Sequence, residues 1–218
     1  MPSAFLHPFA KPTRQDFITL VRGRGAVVTD SHGNDYIDGM AALWYCNVGH
    51  GRDEIARAIA DQASTLAGYS TFDPFTNEPV EALASRLAAI APMPDSRVFF
   101  TSSGSEAVDT AMKLSRLAHV QSGHPERTVI ISRQRGYHGT AYGGTSAQGI
   151  PPNREGYGPL LADVLQVPAD DVEALSVAMA DNAERLAAVL IEPVQGAGGA
   201  FERVLVIGIG GSALGPQF

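Results

Sequence analysis

Apolar residues recur every three or four positions in two stretches of the N-terminal half, and short apolar runs then alternate with amphipathic segments. Between Asp53 and Leu66, the side chains of Ile55, Ile59, Ala63 and Leu66 share one helical face, with Gly68 as a stop. A second helix is expected from near Asn77, with Val80, Leu83, Ala84, Leu87 and Ile90 as its stripe and Pro79 in its first turn; "APMP" ends it. Ahead of both, "AVVTDSHGNDYIDG" predicts two short strands around a polar turn at His32, Gly33 and Asn34. Downstream, "RVFFTS" predicts a strand, "SGSEAVDTAMKLSRLAHV" a helix and "RTVIIS" a second strand. A long loop, "RGYHGTAYGGTSAQGIPPNREGYGP", leads to a helix with Val172, Leu175 and Met179 on one side. Asp170 and Glu173 have capping-box spacing at its start, and "AAVLIEPV" predicts a third strand.

Strands alternating with helices imply an α/β fold with a parallel sheet and right-handed crossovers. Ligands of such sheets sit beyond the carboxyl ends of the strands, so the loops after Thr101, Ser132 and Ile191 are the places to look for chemistry.

The first loop, "TSSGSEA", puts Ser103 and Glu106 at capping-box spacing, so free N–H groups and the positive end of a helix dipole begin there. Gly104 lets an anion approach the backbone, and Ser103 and Ser105 add hydroxyl donors; an ordinary capped helix has the same spacing. In the second loop Tyr137 offers a face to a flat heteroaromatic ring, and His138 can hydrogen-bond or titrate near neutrality. Taken alone, the two residues are better read as a packed tyrosine and an exposed loop histidine. In the third, Glu192 precedes Pro193, Val194, Gln195 and a run of glycines; its carboxylate can orient a ligand or equally hold a backbone or an arginine.

Composition narrows the classes. With 44% hydrophobic and 18% charged residues the chain can build a core. A net charge of −7 and the lack of a basic block argue against nucleic acid and anionic membrane as partners. No run approaches the ~20 apolar residues of a membrane span, and "MPSAFLHPFAKPTR" has no h-region of a signal peptide. The single cysteine, Cys46, fits a reducing, cytoplasmic compartment. His119 and His124 lack metal-ligand spacing with other donors, so no metal is expected.

Together, "FFTSSGSEAVDTAMKLSR", "GYHGT" and "IEPVQGAGG" resemble the class III aminotransferases, in the same order and strand positions. "LHPF", "DSHGNDYIDGMAALWYCNVGHG" and "YSTF" resemble the ω-amino-acid:pyruvate branch, and the resemblance runs over roughly residues 5–200. It implies a fold-type-I, aspartate aminotransferase-like transferase dependent on pyridoxal 5′-phosphate. The expected domains are an arm and small-domain segment over residues 1–70, an incomplete cofactor-binding large domain over 71–200 and an unrelated tail over 201–218. It implies an amino group moved from an amine or ω-amino acid to a keto acid such as pyruvate, by a homodimer. Ser103, Gly104 and Ser105 would hold the cofactor phosphate, Tyr137 would stack on its ring with His138 beside it, and Glu192 would support that side of the pocket. Trp44 and Phe72 would line the substrate pocket, partly across a dimer interface.

The pattern breaks after "QGAGG", before the family's Schiff-base lysine. The chain has two lysines: Lys11 lies in the N-terminal arm, and Lys113 follows Gly104 by nine residues, ~13 Å along a helix. No catalytic residue is therefore assigned, and the chain is expected to be inactive as it stands. Residues 204–217, "VLVIGIGGSALGPQ", resemble instead the sugar-phosphate strand and loop of phosphoglucose isomerases, which suggests a chimeric C-terminus. Val204–Ile209 would form an apolar strand, antiparallel if it pairs beside the strand ending at Val194. A non-catalytic cofactor-binding or dimerising module, and sugar-phosphate binding through the tail, are the competing functions.

Overall fold

The structure is a computed structural model and describes residues 4–8 and 10–199. The tail expected as an isomerase-like strand and loop lies outside the described residues. The chain divides into two compact units, one up to Tyr69 and one from Ser70 onward.

The first unit carries an antiparallel sheet in the order β1 (Leu20–Arg24), β2 (Val27–Asp30) and β3 (Asp35–Ile37). β2 and β3 are the two strands expected around the His32–Asn34 turn; β1 was not anticipated. Asp30 organises that turn. Its Oδ1 accepts the N–H groups of His32 and Asn34 at 2.8 and 2.9 Å, and its Oδ2 accepts from Asn34 Nδ2 and the Tyr36 hydroxyl at 2.9 and 3.0 Å. Gly33 completes the turn with φ +85°. A single turn, α1 (Ala41–Trp44), follows and is left-handed, with φ between +49° and +83° at four consecutive non-glycine residues. Each such residue costs roughly 1–2 kcal/mol, offset in part by Asp38 Oδ2, which accepts the Ala42 N–H at 2.8 Å. Helix α2 (Asp53–Leu66) spans the predicted segment, yet none of its residues is buried and Ile59 is 65% exposed.

In the second unit, α3 (Glu78–Ile90) starts where expected: Asn77 Oδ1 accepts the Val80 N–H at 3.1 Å and Pro79 sits in the first turn. "RVFFTS" does not form a strand. Its apolar run finds no ladder partner among the described residues, and Phe99 stays 74% exposed. Helix α4 (Gly104–Gln121) follows, and then a parallel sheet in the order β5-β4-β6: β4 (Val129–Arg133), β5 (Val164–Val167) and β6 (Leu186–Leu190). β5 takes one edge of the sheet; its sequence, Val-Leu-Gln-Val, is too short to stand out. The long loop after β4 contains α5 (Tyr142–Ala147) and a 3₁₀ turn at Pro151–Asn153. Helix α6 (Val172–Asp181) is capped by Asp171, which accepts the Ala174 N–H at 2.8 Å; the expected cap, Asp170, pairs instead with Arg135.

β4 is central and buried on both faces, as a middle parallel strand requires. Ile130 packs with Met112 and Ala147 toward α4 and α5. Val129 and Ile131 pack with Val167, and Leu175 and Ala178 of α6 lie against them. Ile130 and Ile131 have no exposed surface, and burying each contributes about 1.5–3 kcal/mol. The following side chain on the α5 face is a serine: Ser132 Oγ donates to the Ala147 carbonyl at 2.6 Å.

Hydrogen bonds from Asn34, Tyr36 and His32 lower the Asp30 carboxyl to about 2, below its unfolded value. Its support of the hairpin is therefore complete above about pH 4 and lost as pH falls through about 2. A carboxyl-carbon NMR titration should show the Asp30 midpoint near 2, and Asp30→Asn should flatten the acid limb of the stability curve; a midpoint near the ordinary carboxylate value would contradict this.

Candidate functional site

The carboxyl ends of β4 and β6 and the N-terminus of α4 meet in the second unit. At α4, Ser103 is the N-cap: its Oγ accepts the Glu106 N–H at 3.2 Å, while Glu106 Oε2 reaches back to the Ser102 N–H at 2.8 Å. Among the described residues, no acceptor faces the N–H groups of Gly104 and Ser105. They are the open donors at the positive end of an 18-residue helix. A Cβ placed on Gly104 would meet nothing within 4 Å.

The second loop is tied to the first through Ser105. Its Oγ accepts the Thr140 N–H at 2.9 Å, and Thr140 Oγ1 lies 3.4 Å away. The Ser105 hydroxyl keeps a proton to donate. Gly139 makes the approach possible: its φ is +99°, and a Cβ there would lie 2.6 Å from Ser105 Oγ. Asp109, one turn further along α4, holds the other end of this loop by accepting the Gly144 N–H at 2.9 Å.

The third loop is tied to the second through Glu192. Oε1 accepts the Tyr137 N–H at 2.6 Å and Oε2 accepts the Gly196 N–H at 3.1 Å. Of the uses open to this carboxylate, holding backbone is the one it makes. Gln195 adds a bond from Nε2 to the Gln134 carbonyl at 2.7 Å, and a Cβ on Gly198 would run into the Arg135 carbonyl oxygen. Arg133, at the end of β4, donates from Nη1 to Ala169 O at 3.1 Å and from Nη2 to the Glu192 carbonyl.

Tyr137 keeps 38% of its surface exposed. His138 is buried, and its Nε2 has no partner among the described residues. Burial holds its pKa below the ordinary histidine value, with Glu192 pulling it up and Arg133 pushing it down. The ring is thus neutral at pH 7 and has an unused polar nitrogen.

The three loops that carry Ser103, Gly104 and Ser105, Tyr137 and His138, and Glu192 are therefore joined by the Ser105–Thr140 and Glu192–Tyr137 bonds. Trp44 belongs to the first unit and Phe72 to the second; both are exposed. Thr140, Asp109 and Arg133 were not singled out from sequence. Thr140 closes the "GYHGT" string, which is the one signal that could have flagged it. Among the described residues there is no group of three or more His, Cys, Asp or Glu able to hold a metal ion, and no helix long and apolar enough to cross a membrane.

A parallel sheet thus carries, beyond its strand ends, a helix N-terminus with open N–H groups, tied through Thr140 to the loop of the partly exposed Tyr137. The family model for aminotransferase class-III matches residues 9–203, and the chain belongs to that family. It is 39% identical over 187 residues to an omega-aminotransferase of Caulobacter vibrioides, covering 76% of this chain and 42% of that protein. It is 34% identical over 218 residues to a beta-alanine–pyruvate aminotransferase of Pseudomonas aeruginosa, covering 91% and 47%. Among solved structures, a transaminase from the marine bacterium Virgibacillus superposes with TM-score 0.86 at 40% identity, covering 90% of this chain and 47% of that one. An amine transaminase from an uncultivated Pseudomonas species, in its PLP-bound form, gives TM-score 0.84 at 37% identity, covering 90% and 50%. The fold is thus part of a fold-type-I transferase of the class III aminotransferases, which depend on pyridoxal phosphate. The chain spans under half the length of these curated relatives.

Two outcomes follow from this geometry. Gly139→Ala should lower stability by about 1–3 kcal/mol in a guanidinium melt, whereas Gly104→Ala should cost less than about 1 kcal/mol; equal effects would contradict the packing described. Glu192→Gln removes the charge that pulls the His138 pKa up, so the midpoint should fall further in an NMR titration. Because the folded value is already depressed, acidification through the ordinary histidine range costs stability, and a rise in the variant would refute the coupling.

Proposed function

We propose that residues 70–199 hold the phosphate and ring of pyridoxal 5′-phosphate, as the large-domain portion of an aminotransferase acting on an amine or ω-amino acid and a keto acid such as pyruvate. The observation that carries this reading is the α4 N-terminus, with two open N–H groups and the Ser105 hydroxyl at one point, tied by Thr140 to the loop of Tyr137. A phosphate there gains backbone donors, a hydroxyl donor and the helix dipole without a lysine. The reading is supported by the donors themselves, since neither N–H group has an acceptor among the described residues.

In this reading Gly104 and Ser105 bind the phosphate. Ser103 sets where the helix begins, and its hydroxyl proton remains available. Tyr137 covers one face of the ring, and Glu192 fixes Tyr137 by its backbone. His138, buried and neutral, offers Nε2 as a hydrogen-bonding atom beside the ring. When bound, the cofactor supplies an electron sink for the substrate carbon that loses its proton. Residues 1–70 are assigned to the arm and small-domain segment, 71–200 to the large domain and 201–218 to an unrelated tail. Trp44 and Phe72 are assigned to the substrate pocket of a homodimer. The kinship with relatives named for ω-amino and pyruvate chemistry supports the substrate class, and the single cysteine supports a cytoplasmic setting.

Neither Lys11 nor Lys113 belongs to the three site loops. The 218-residue chain on its own is therefore expected to bind pyridoxal phosphate but not to transfer amino groups to pyruvate above the rate of free cofactor. Absorbance titration tests the binding. Ser105→Ala removes a donor to the phosphate and the Thr140 anchor, and should weaken affinity about 10-fold, the equivalent of one lost hydrogen bond to a charged group. Unchanged affinity would sink the assignment, and turnover by the isolated chain would show that one of its two lysines serves.

A further inference from the structure

Both ring nitrogens of His50 are engaged. Nε2 lies 2.8 Å from Asp38 Oδ2, and Nδ1 lies 3.4 Å from Cys46 Sγ. An ionised carboxylate only accepts, so the ring proton sits on Nε2 and the Nδ1 lone pair faces the thiol. Asp38 is itself fixed by the Ala42 N–H, and its carboxyl is held below the usual range chiefly by the His50 bond. The His50 backbone pairs with Gly25 in both directions, at 2.8 and 2.9 Å. Gly23 leaves room for the ring: a Cβ there would lie 2.7 Å from His50 Cγ. The Cys46 N–H bonds the Ala41 carbonyl at 2.8 Å. Thiol, imidazole and carboxylate thus stand in line on separately anchored backbone.

The thiol is half-buried and opens on a cleft of about 360 Å³ whose walls include Tyr45, Val48, Ile55 and Ile59. Arg52 also lines it, but its guanidinium is paired with Glu54 and with the Val48 carbonyl. The cleft therefore offers apolar contact to a small molecule that reaches the sulfur.

We propose that Cys46 is a nucleophile, with His50 as its base and Asp38 orienting the ring, that adds small apolar conjugated carbonyl compounds. The thiol proton passes to His50 Nδ1 as Sγ bonds to the β-carbon. The π pair of the carbon–carbon double bond moves to the α-carbon, which then takes the proton back from Nδ1. The product is a thioether, no co-reactant is consumed and His50 ends neutral. Asp38 faces the imidazolium that exists between the two proton transfers. This inference does not rest on the cofactor reading.

The test uses the 218-residue chain and N-ethylmaleimide at pH 7, with the Cys46 adduct followed by mass spectrometry. The native thiol should react about 10-fold faster than the same thiol in the guanidinium-unfolded chain, although it is half-buried. This comparison needs no substitution, and a native rate equal to or below the unfolded rate overturns the proposal. His50→Gln and Asp38→Asn should each remove the advantage; if it persists in a folded variant, the assigned roles are wrong. A maleimide carrying a sulfonate should show a smaller advantage, and an equal one overturns the assignment of the apolar cleft.

Discussion

The Arg133 guanidinium is the tie on which the site depends. It sits at the end of the central strand and reaches to both sides, to the Ala169 carbonyl beyond β5 and to the Glu192 carbonyl beyond β6. A planar fork with donors in fixed directions can hold two strand ends at a set spacing, which a flexible ammonium would do less well. Glu192 is thereby placed where its carboxylate spans the Tyr137 and Gly196 N–H groups. Tyr137 and Thr140 belong to one loop, and Thr140 passes the constraint on to Ser105. Loops that diverge from three different elements are thus fixed by a short chain of bonds. Arg133 Nε finds no acceptor among the described residues, a local cost of the kind expected where a buried polar group is left unmatched.

The atoms that define the candidate site are mostly backbone. Gly104 and Ser105 contribute N–H groups, and Glu192 acts on N–H groups rather than on a side chain. The site's glycines accordingly carry much of the geometry. Gly139 lets Ser105 approach and Gly198 lets the third loop cross the second. The chain that carries this arrangement belongs to the class III aminotransferases.

Local signals read well from sequence wherever one segment decides its own conformation. Asn77 and Ser103 cap the helices they precede, and the apolar stripe of α2 marks its bounds. The strand at Val129 was legible as a run of β-branched residues, and the one at Leu186 as a short apolar run ahead of Pro193. Neighbouring chain misled where it decides the outcome. "RVFFTS" has strand composition but no ladder partner in the described residues, while β5, with less composition in its favour, pairs with β4. Asp170 and Asp171 compete for one cap, and Arg135 settles it by taking Asp170. The bonds of Thr140 to Ser105 and of Glu192 to Tyr137 join residues 35 and 55 positions apart. Topology creates such contacts, and no window of sequence contains them.

Because β4 alternates its side chains strictly, it has no tolerance for a change in length. Ile130 and Ser132 face α5, Val129 and Ile131 face α6, and Arg133 ends the series. One residue inserted or deleted within Val129–Arg133 would send the Ser132 hydroxyl into the apolar layer beneath α6 and swing the guanidinium off both carbonyls. The stretch from Arg154 to Gly158, largely exposed and without regular structure, has no such phase to keep. Length variation among natural versions of this chain should therefore collect there and be missing from the strand, a frame-like rule that acts on spacing rather than on residue identity.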